Sequence, residues 1–166
     1  MQIKKVLVTG GGGFLGKALV KKLLEQDYSV TSFSRSYYDS LNSLGVNQIQ
    51  GDLASRTAVE SAVKGMDAVF HVAAKPGIWG SYDEYYAINV TGTENVIAAC
   101  KAYGVKQLIY TSSPSVIFGD SDQENVDESI PYPDTYLAHY PETKAAAEKL
   151  VIKAGAQGEI KTISIR

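Results

Sequence analysis

Apolar and polar positions along the chain fall into two alternating rhythms. Short runs rich in β-branched residues recur at "KKVLVT" (Lys4–Thr9), "YSVTSFS" (Tyr28–Ser34), "VNQIQGD" (Val46–Asp52), "DAVFHVAA" (Asp67–Ala74), "VKQLIYTSS" (Val105–Ser113) and "IKTISIR" (Ile160–Arg166). Their length and composition predict strands. Between them the spacing becomes helical. In Phe14–Gln26 the residues Leu15, Leu19 and Leu23 share one face, with lysines on the other. Arg56–Gly65 and Tyr82–Gly104 are predicted helices that each close on a glycine, and His139–Gly155 is a further one. Strand and helix alternate, and the strand runs are apolar on both faces. That pattern predicts an α/β fold, a parallel sheet covered by helices on both sides.

One stretch breaks the rhythm. Gly119–Tyr140 holds six acidic residues, three tyrosines and two prolines, with no lysine or arginine. A loop this long inside a compact domain is functional, disordered or a solvated excursion.

The 166 residues suffice for one domain with a real core. A net charge of −2 and the lack of a basic tract exclude the electrostatic footprint of a nucleic-acid binder. The apolar runs are too short to span a bilayer, and the N-terminus has no signal-like apolar region, so the expected location is cytoplasmic. One cysteine, Cys100, excludes an internal disulfide, and His71 and His139 show no metal-ligand spacing, so no metal site is expected.

The chemistry begins at "VLVTGGGGFLG". Gly10, Gly13 and Gly16 stand three apart between a strand and a helix. A turn of this kind lets backbone approach a pyrophosphate at the helix N-terminus, where free N–H groups and the helix dipole favour an anion. The second strand then ends in Ser34 and Arg35, with no acidic residue. A carboxylate there would meet a ribose 2′-hydroxyl, whereas an arginine meets a 2′-phosphate, so NADP(H) is favoured over NAD(H). Asp52 ends the third strand, where an adenine contact and an ordinary turn aspartate fit equally.

"TSSPSVIFG" follows the fifth strand, at the sheet edge where open parallel sheets hold ligands. "YPETK" then places Tyr140 and Lys144 four apart, on one helix face. A lysine ammonium beside a phenol favours phenolate, and such a tyrosine can exchange a proton with a carbonyl or alcohol oxygen. A serine hydroxyl from the strand end can hold that oxygen. Ser112, Ser113 and Ser115 are all candidates.

Together "TGGGGFLG", "GDL", "HVAA", "NVTGTENV", "TSSPSV" and "YPETK" resemble the extended short-chain dehydrogenase/reductases. The resemblance implies a Rossmann-type doubly wound sheet with strand order 3-2-1-4-5-6 and a catalytic set of Ser113, Tyr140 and Lys144. It further implies that Tyr140 and Lys144 touch the cofactor, and that Phe14, Leu15, Leu53, Ala73, Ala74 and Asn89 line its cleft beside the glycines. Family members continue into a smaller substrate domain, so residues 1–166 are expected to be the cofactor-binding part alone. "TSSPSVIF" and "YPETKAAAEKLV" lean toward the branch acting on 3β-hydroxysteroids and 4-carboxysterols. "VFHVAAKPGIWGSYDEYYAINVTGTENV" is similar to bacterial reductases of 2-alkyl-3-oxoalkanoates.

The expected partner is therefore a small apolar keto or hydroxy acid, or a sterol-like compound, with Lys75 or the loop around Trp79 meeting a carboxylate. Two alternatives stay open, a nucleotide-sugar epimerase or dehydratase with bound NAD and a non-catalytic NADP(H) sensor. A homodimer through the helices at Tyr82–Gly104 and His139–Gly155 is also implied, with Tyr85, Tyr86, Ala98 and Ala147 either at its interface or packed inward.

Overall fold

A computed structural model of the chain describes residues 3–119 and 123–166. Its six strands are β1 (Lys5–Thr9), β2 (Ser29–Ser34), β3 (Asn47–Gln50), β4 (Ala68–His71), β5 (Gln107–Thr111) and β6 (Lys161–Ile165). They form one sheet in the order β3-β2-β1-β4-β5-β6, with every neighbouring pair parallel. The order reverses beside β1, so a crevice opens at the strand C-terminal ends between β1 and β4.

Alternation along β1 divides the core. Val6 and Val8 pack with Val20 of α1 (Phe14–Glu25) and Val30, while Leu7 faces the opposite layer with Val69, Val96 and Leu108. The second layer rests on α3 (Arg56–Val63), α5 (Gly92–Ala102) and α6 (His139–Ala156). Cys100 is buried in that layer, and burial pushes its thiol up to about 12, so it acts as a small apolar side chain.

Several elements depart from the sequence pattern. α2 (Asp39–Asn42) is a single turn anchored by the buried Leu41, too short to show a period. The helix expected over Tyr82–Gly104 is continuous in direction but not uniform. It comprises α4 (Tyr82–Tyr86), a wider π turn (Ala87–Thr91) and α5. Pro114–Ile117 form a 3₁₀ turn after β5. The edge strand β6 is not covered on both faces, since Ile163 and Ile165 are 45% and 54% exposed while α6 covers the other side. Of the interface candidates, Tyr85 and Ala147 are wholly buried within the chain, whereas Tyr86 is 38% exposed and Ala98 half-buried. Among the described residues no helix is long and apolar enough to cross a membrane.

Candidate active site

A cleft of about 400 Å³ runs across the C-terminal ends of the strands, from the glycine loop to α6. One wall is backbone. Gly10 sits in the left-handed region at φ 71°, with its N–H donating to the Phe33 carbonyl at 2.8 Å and its own carbonyl accepting from Gly13 at 3.0 Å. That carbonyl occupies the space where a Cβ on Gly16 would go, so α1 meets the loop only if residue 16 is glycine. Gly13 is the N-cap and offers no side-chain acceptor, which leaves the first-turn N–H groups of α1 directed at the cleft. Phe14, fully exposed, and Leu15, half exposed, stand at its mouth.

Ser34, Arg35, Asp52 and Leu53 continue the wall on the β2–β3 side. The Arg35 carbonyl accepts from Gln50 at 2.8 Å, which fixes its backbone and leaves the side chain exposed at the rim. Asp52 closes a turn at the cleft. Its carboxylate accepts the Ala54 N–H at 2.9 Å, closing a turn, and the residue still lines the cleft. The ring of Tyr38 lies against Gly12 and lines the same wall, a contact with no signal in the sequence.

The floor joins β1 to β4. The Thr9 hydroxyl oxygen accepts the N–H groups of Val72 and Ala73, both at 3.1 Å. His71 lies beneath them, bonded to the Thr9 hydroxyl at 2.8 Å and the Thr93 hydroxyl at 3.0 Å. Thr93 donates its proton to the Asn89 carbonyl at 2.6 Å, so it accepts from His71 Nε2–H. Nδ1 is then the acceptor for Thr9. Burial, helped by the nearby Lys144 charge, pushes His71 down to about 3, so the ring is neutral at ordinary pH.

Ala73 and Ala74 line the cleft as expected, and Ala73 lies against Gly10. Asn89 does not line it. Its buried amide sits behind the wall in the π turn, accepting from Lys75 N–H at 2.7 Å and donating to the Lys75 carbonyl and to Thr143 Oγ1 at 3.3 and 3.0 Å. It therefore fixes the strand-end loop against α6 rather than forming the cleft surface. Lys75 has its ammonium 3.3 Å from Glu84 and over the Tyr85 ring, while Trp79 is 85% exposed.

The opposite wall carries Tyr140 and Lys144 on α6. Lys144 is 2% exposed. Its ammonium donates to the Thr111 carbonyl at 2.6 Å and rests 4.1 Å from the centre of the Tyr110 ring. Burial pushes it down to about 7, against an opposing pull from Glu148. The serines divide. Ser112 lines the cleft, and among the described residues its buried hydroxyl has no partner. Ser113 lies outside that lining, with its hydroxyl oxygen accepting from Ser115 N–H at 3.2 Å and pairing with Ser115 Oγ at 2.8 Å at the start of the 3₁₀ turn.

The cleft thus opposes a glycine loop and the uncapped N-terminus of α1 to Tyr140 and Lys144. The model of the 3-beta hydroxysteroid dehydrogenase/isomerase family matches residues 7–166. The chain belongs to that family. It is 50% identical over 165 residues to the 2-alkyl-3-oxoalkanoate reductase of Stenotrophomonas maltophilia, covering 98% of this chain and 49% of the relative. The reductase of the same name from Shewanella oneidensis is 43% identical, with 99% of this chain and 44% of the relative covered. Among solved structures, Thermus thermophilus UDP-glucose 4-epimerase in complex with NAD superposes with a TM-score of 0.87 at 29% identity, over 98% of this chain and 54% of the epimerase. The chain spans about half the length of these relatives.

Proposed function

We propose that this chain is the cofactor-binding part of an NADP(H)-dependent oxidoreductase that interconverts a ketone and a secondary alcohol, with a 2-alkyl-3-oxoalkanoate as substrate. The observation that carries the reading is the Tyr140–Lys144 pair on the wall facing the glycine cradle. The residues fit a dinucleotide. Glycine at positions 16 and 10 lets the loop close against α1 and Ala73, α1 offers uncapped N–H groups to the cleft, and among the described residues the buried Ser112 hydroxyl has no protein partner.

In that reading the α1 N-terminus holds the pyrophosphate, Arg35 meets a 2′-phosphate, and Lys144 holds the nicotinamide ribose. The nicotinamide, when bound, supplies or accepts the hydride. Tyr140 passes the proton to the carbonyl oxygen during reduction and takes it back in the reverse direction. A serine hydroxyl orients the reacting oxygen, with Ser113 assigned by resemblance and Ser112 the alternative that lines the cleft. The substrate class follows from the relatives at 50% and 43% identity, whose names are those of reductases of this acid class.

The test incubates the protein with NADPH and a 2-alkyl-3-oxo acid and quantifies the 2-alkyl-3-hydroxy acid by mass spectrometry. Tyr140→Phe is expected to lower turnover by roughly a hundredfold or more with NADPH affinity retained. Unchanged turnover in that variant would remove Tyr140 from the chemistry.

A further inference from the structure

The strand-end loop that gives Ala74 and Pro76 to the cleft runs on through Gly77, Ile78, Trp79 and Gly80 to α4. Its shape is set from within. Gly77 and Gly80 hold φ of 99° and 129°, values that residues with side chains rarely adopt. Tyr85 of α4, wholly buried, donates its hydroxyl proton to the Trp79 carbonyl at 3.1 Å. Lys75 turns beneath the loop, with its ammonium over the Tyr85 ring and 3.3 Å from Glu84. A Cβ on Gly80 would strike that pair. The one cation of the loop is therefore engaged inside the chain, against the expectation that it meets a substrate carboxylate. What the loop turns outward is apolar, Ile78 and Trp79, both largely exposed.

Two more segments bring exposed apolar side chains to the same end of the cleft. The ring of His139, which precedes Tyr140 on α6, packs on Tyr82 and Tyr85 at 5.5 and 6.2 Å, so the anchor of the loop stands beside the start of α6. Leu137, two residues earlier, is exposed. Its segment belongs to the acidic, tyrosine-bearing stretch whose composition left its role open, and it is fastened twice. The Tyr132 hydroxyl donates at 3.0 Å to the buried Glu148 of α6, a carboxylate also held by Ser164 and Arg166. The Tyr136 hydroxyl donates to the Val116 carbonyl at 3.1 Å. That bond sets Leu137 near the 3₁₀ turn after Ser113, which ends at the exposed Phe118. Ile78, Trp79, Leu137 and Phe118 thus come from three fastened segments at the Tyr140 end of the cleft. Exposed apolar groups gathered this way mark a binding surface.

We infer that these four side chains form the rim that receives the alkyl chains of the substrate, with Trp79 setting the preference for long chains. The occupant follows from continuity, because the residues that line the cleft, Ala74 and Pro76, lead directly into Ile78 and Trp79. It follows also from chemistry, because the four side chains carry no charge, which suits hydrocarbon rather than a sugar nucleotide. The inference deepens the proposed function and rests on it for the identity of the ligand.

The test titrates the chain, in excess NADP⁺, with 2-hexyl-3-hydroxydecanoic acid and with 2-methyl-3-hydroxybutanoic acid, both kept below the micellar range. Calorimetry gives the two affinities, and the emission of Trp79, the single tryptophan, reports on the rim itself. The long acid is expected to bind at least about tenfold tighter than the short one, with a saturable blue shift of that emission. Trp79→Ala and Leu137→Ser change exposed side chains and leave the core untouched. Each is expected to narrow the long-over-short preference severalfold. No binding of the long acid, equal affinities in the wild type, a shift that never saturates, or a preference unmoved by both changes overturns the inference. A parallel NADPH titration and reduction assay separate the two readings. A preference narrowed as expected, in a chain that binds no NADPH, removes the proposed function and leaves the apolar rim intact. NADPH-dependent reduction of a 2-alkyl-3-oxo acid with the preference unmoved does the reverse.

Discussion

The two walls of the cleft are built from opposite materials. The glycine side exposes main chain, held by the Gly10 bonds to Phe33 and Gly13 and by the close approach of Gly16 to the Gly10 carbonyl. The α6 side is built from side chains, the half-buried Tyr140 and the buried Lys144, with the buried polar groups His71 and Glu148 in the interior. The first wall fails sterically and the second electrostatically. Changes to the glycines should damage fold and binding together. Changes to the buried polar groups should separate the two.

The sharpest contrast sets Gly16→Ala against Lys144→Met. Alanine ordinarily favours a helix by about 1 kcal/mol over glycine. At position 16 its methyl would meet the Gly10 carbonyl, a backbone group that cannot swing aside, and the clash wins. Gly16→Ala is expected to abolish NADPH binding and to cost at least about 2 kcal/mol in urea unfolding. Lys144→Met should likewise abolish binding, yet leave the unfolding midpoint at pH 7 unchanged or raised. The sign follows from the lysine's lowered value, about 7 against an ordinary 10.5. Between those values the unfolded chain binds the extra proton, so wild-type stability rises with pH through that window, and Met removes the slope.

His71 gives the next largest effect, at acid pH. The folded imidazole stays neutral down to about 3, against an ordinary 6.5. Below 6.5 the unfolded chain binds more protons, so stability is lost progressively from pH 6.5 toward 3, by on the order of a few kcal/mol. Urea unfolding at a series of pH values measures the slope, and His71→Gln should flatten it. An unchanged slope would place the acid sensitivity elsewhere.

The two walls also differ in how far they can be read from sequence. The alternation of strand and helix and the run Gly10–Gly16 carry the backbone wall almost directly, because glycine spacing is itself the requirement. Tyr140 and Lys144 are legible because four-residue spacing fixes a helix face. Asn89 is not, because its neighbours in space, Lys75 and Thr143, are brought to it by a π turn that has no periodic signal. The cradle around Glu148 joins residues from β6 and from the loop before α6, and only the sheet order brings them together. Tyr38 packs on Gly12 through a one-turn helix that leaves no rhythm.

Smaller effects refine the backbone wall. Arg35→Ala should weaken NADPH binding about tenfold and leave NADH unchanged, by parallel titration. Equal losses for both would remove Arg35 as the reader of a 2′-phosphate. Gly12→Ala should cost about 1 kcal/mol or less, because the Tyr38 ring it meets is a side chain that can swing aside. A loss as large as that of Gly16→Ala would mean that Tyr38 is locked in place.

The most direct measurement is a titration of the wild-type chain with NADPH, followed by energy transfer from Trp79, its single tryptophan, to the nicotinamide. Saturable binding at one site, lost in both Gly16→Ala and Lys144→Met, is the expected result. No saturable binding by the folded wild type, or binding that survives both changes, would contradict a dinucleotide cleft between the two walls.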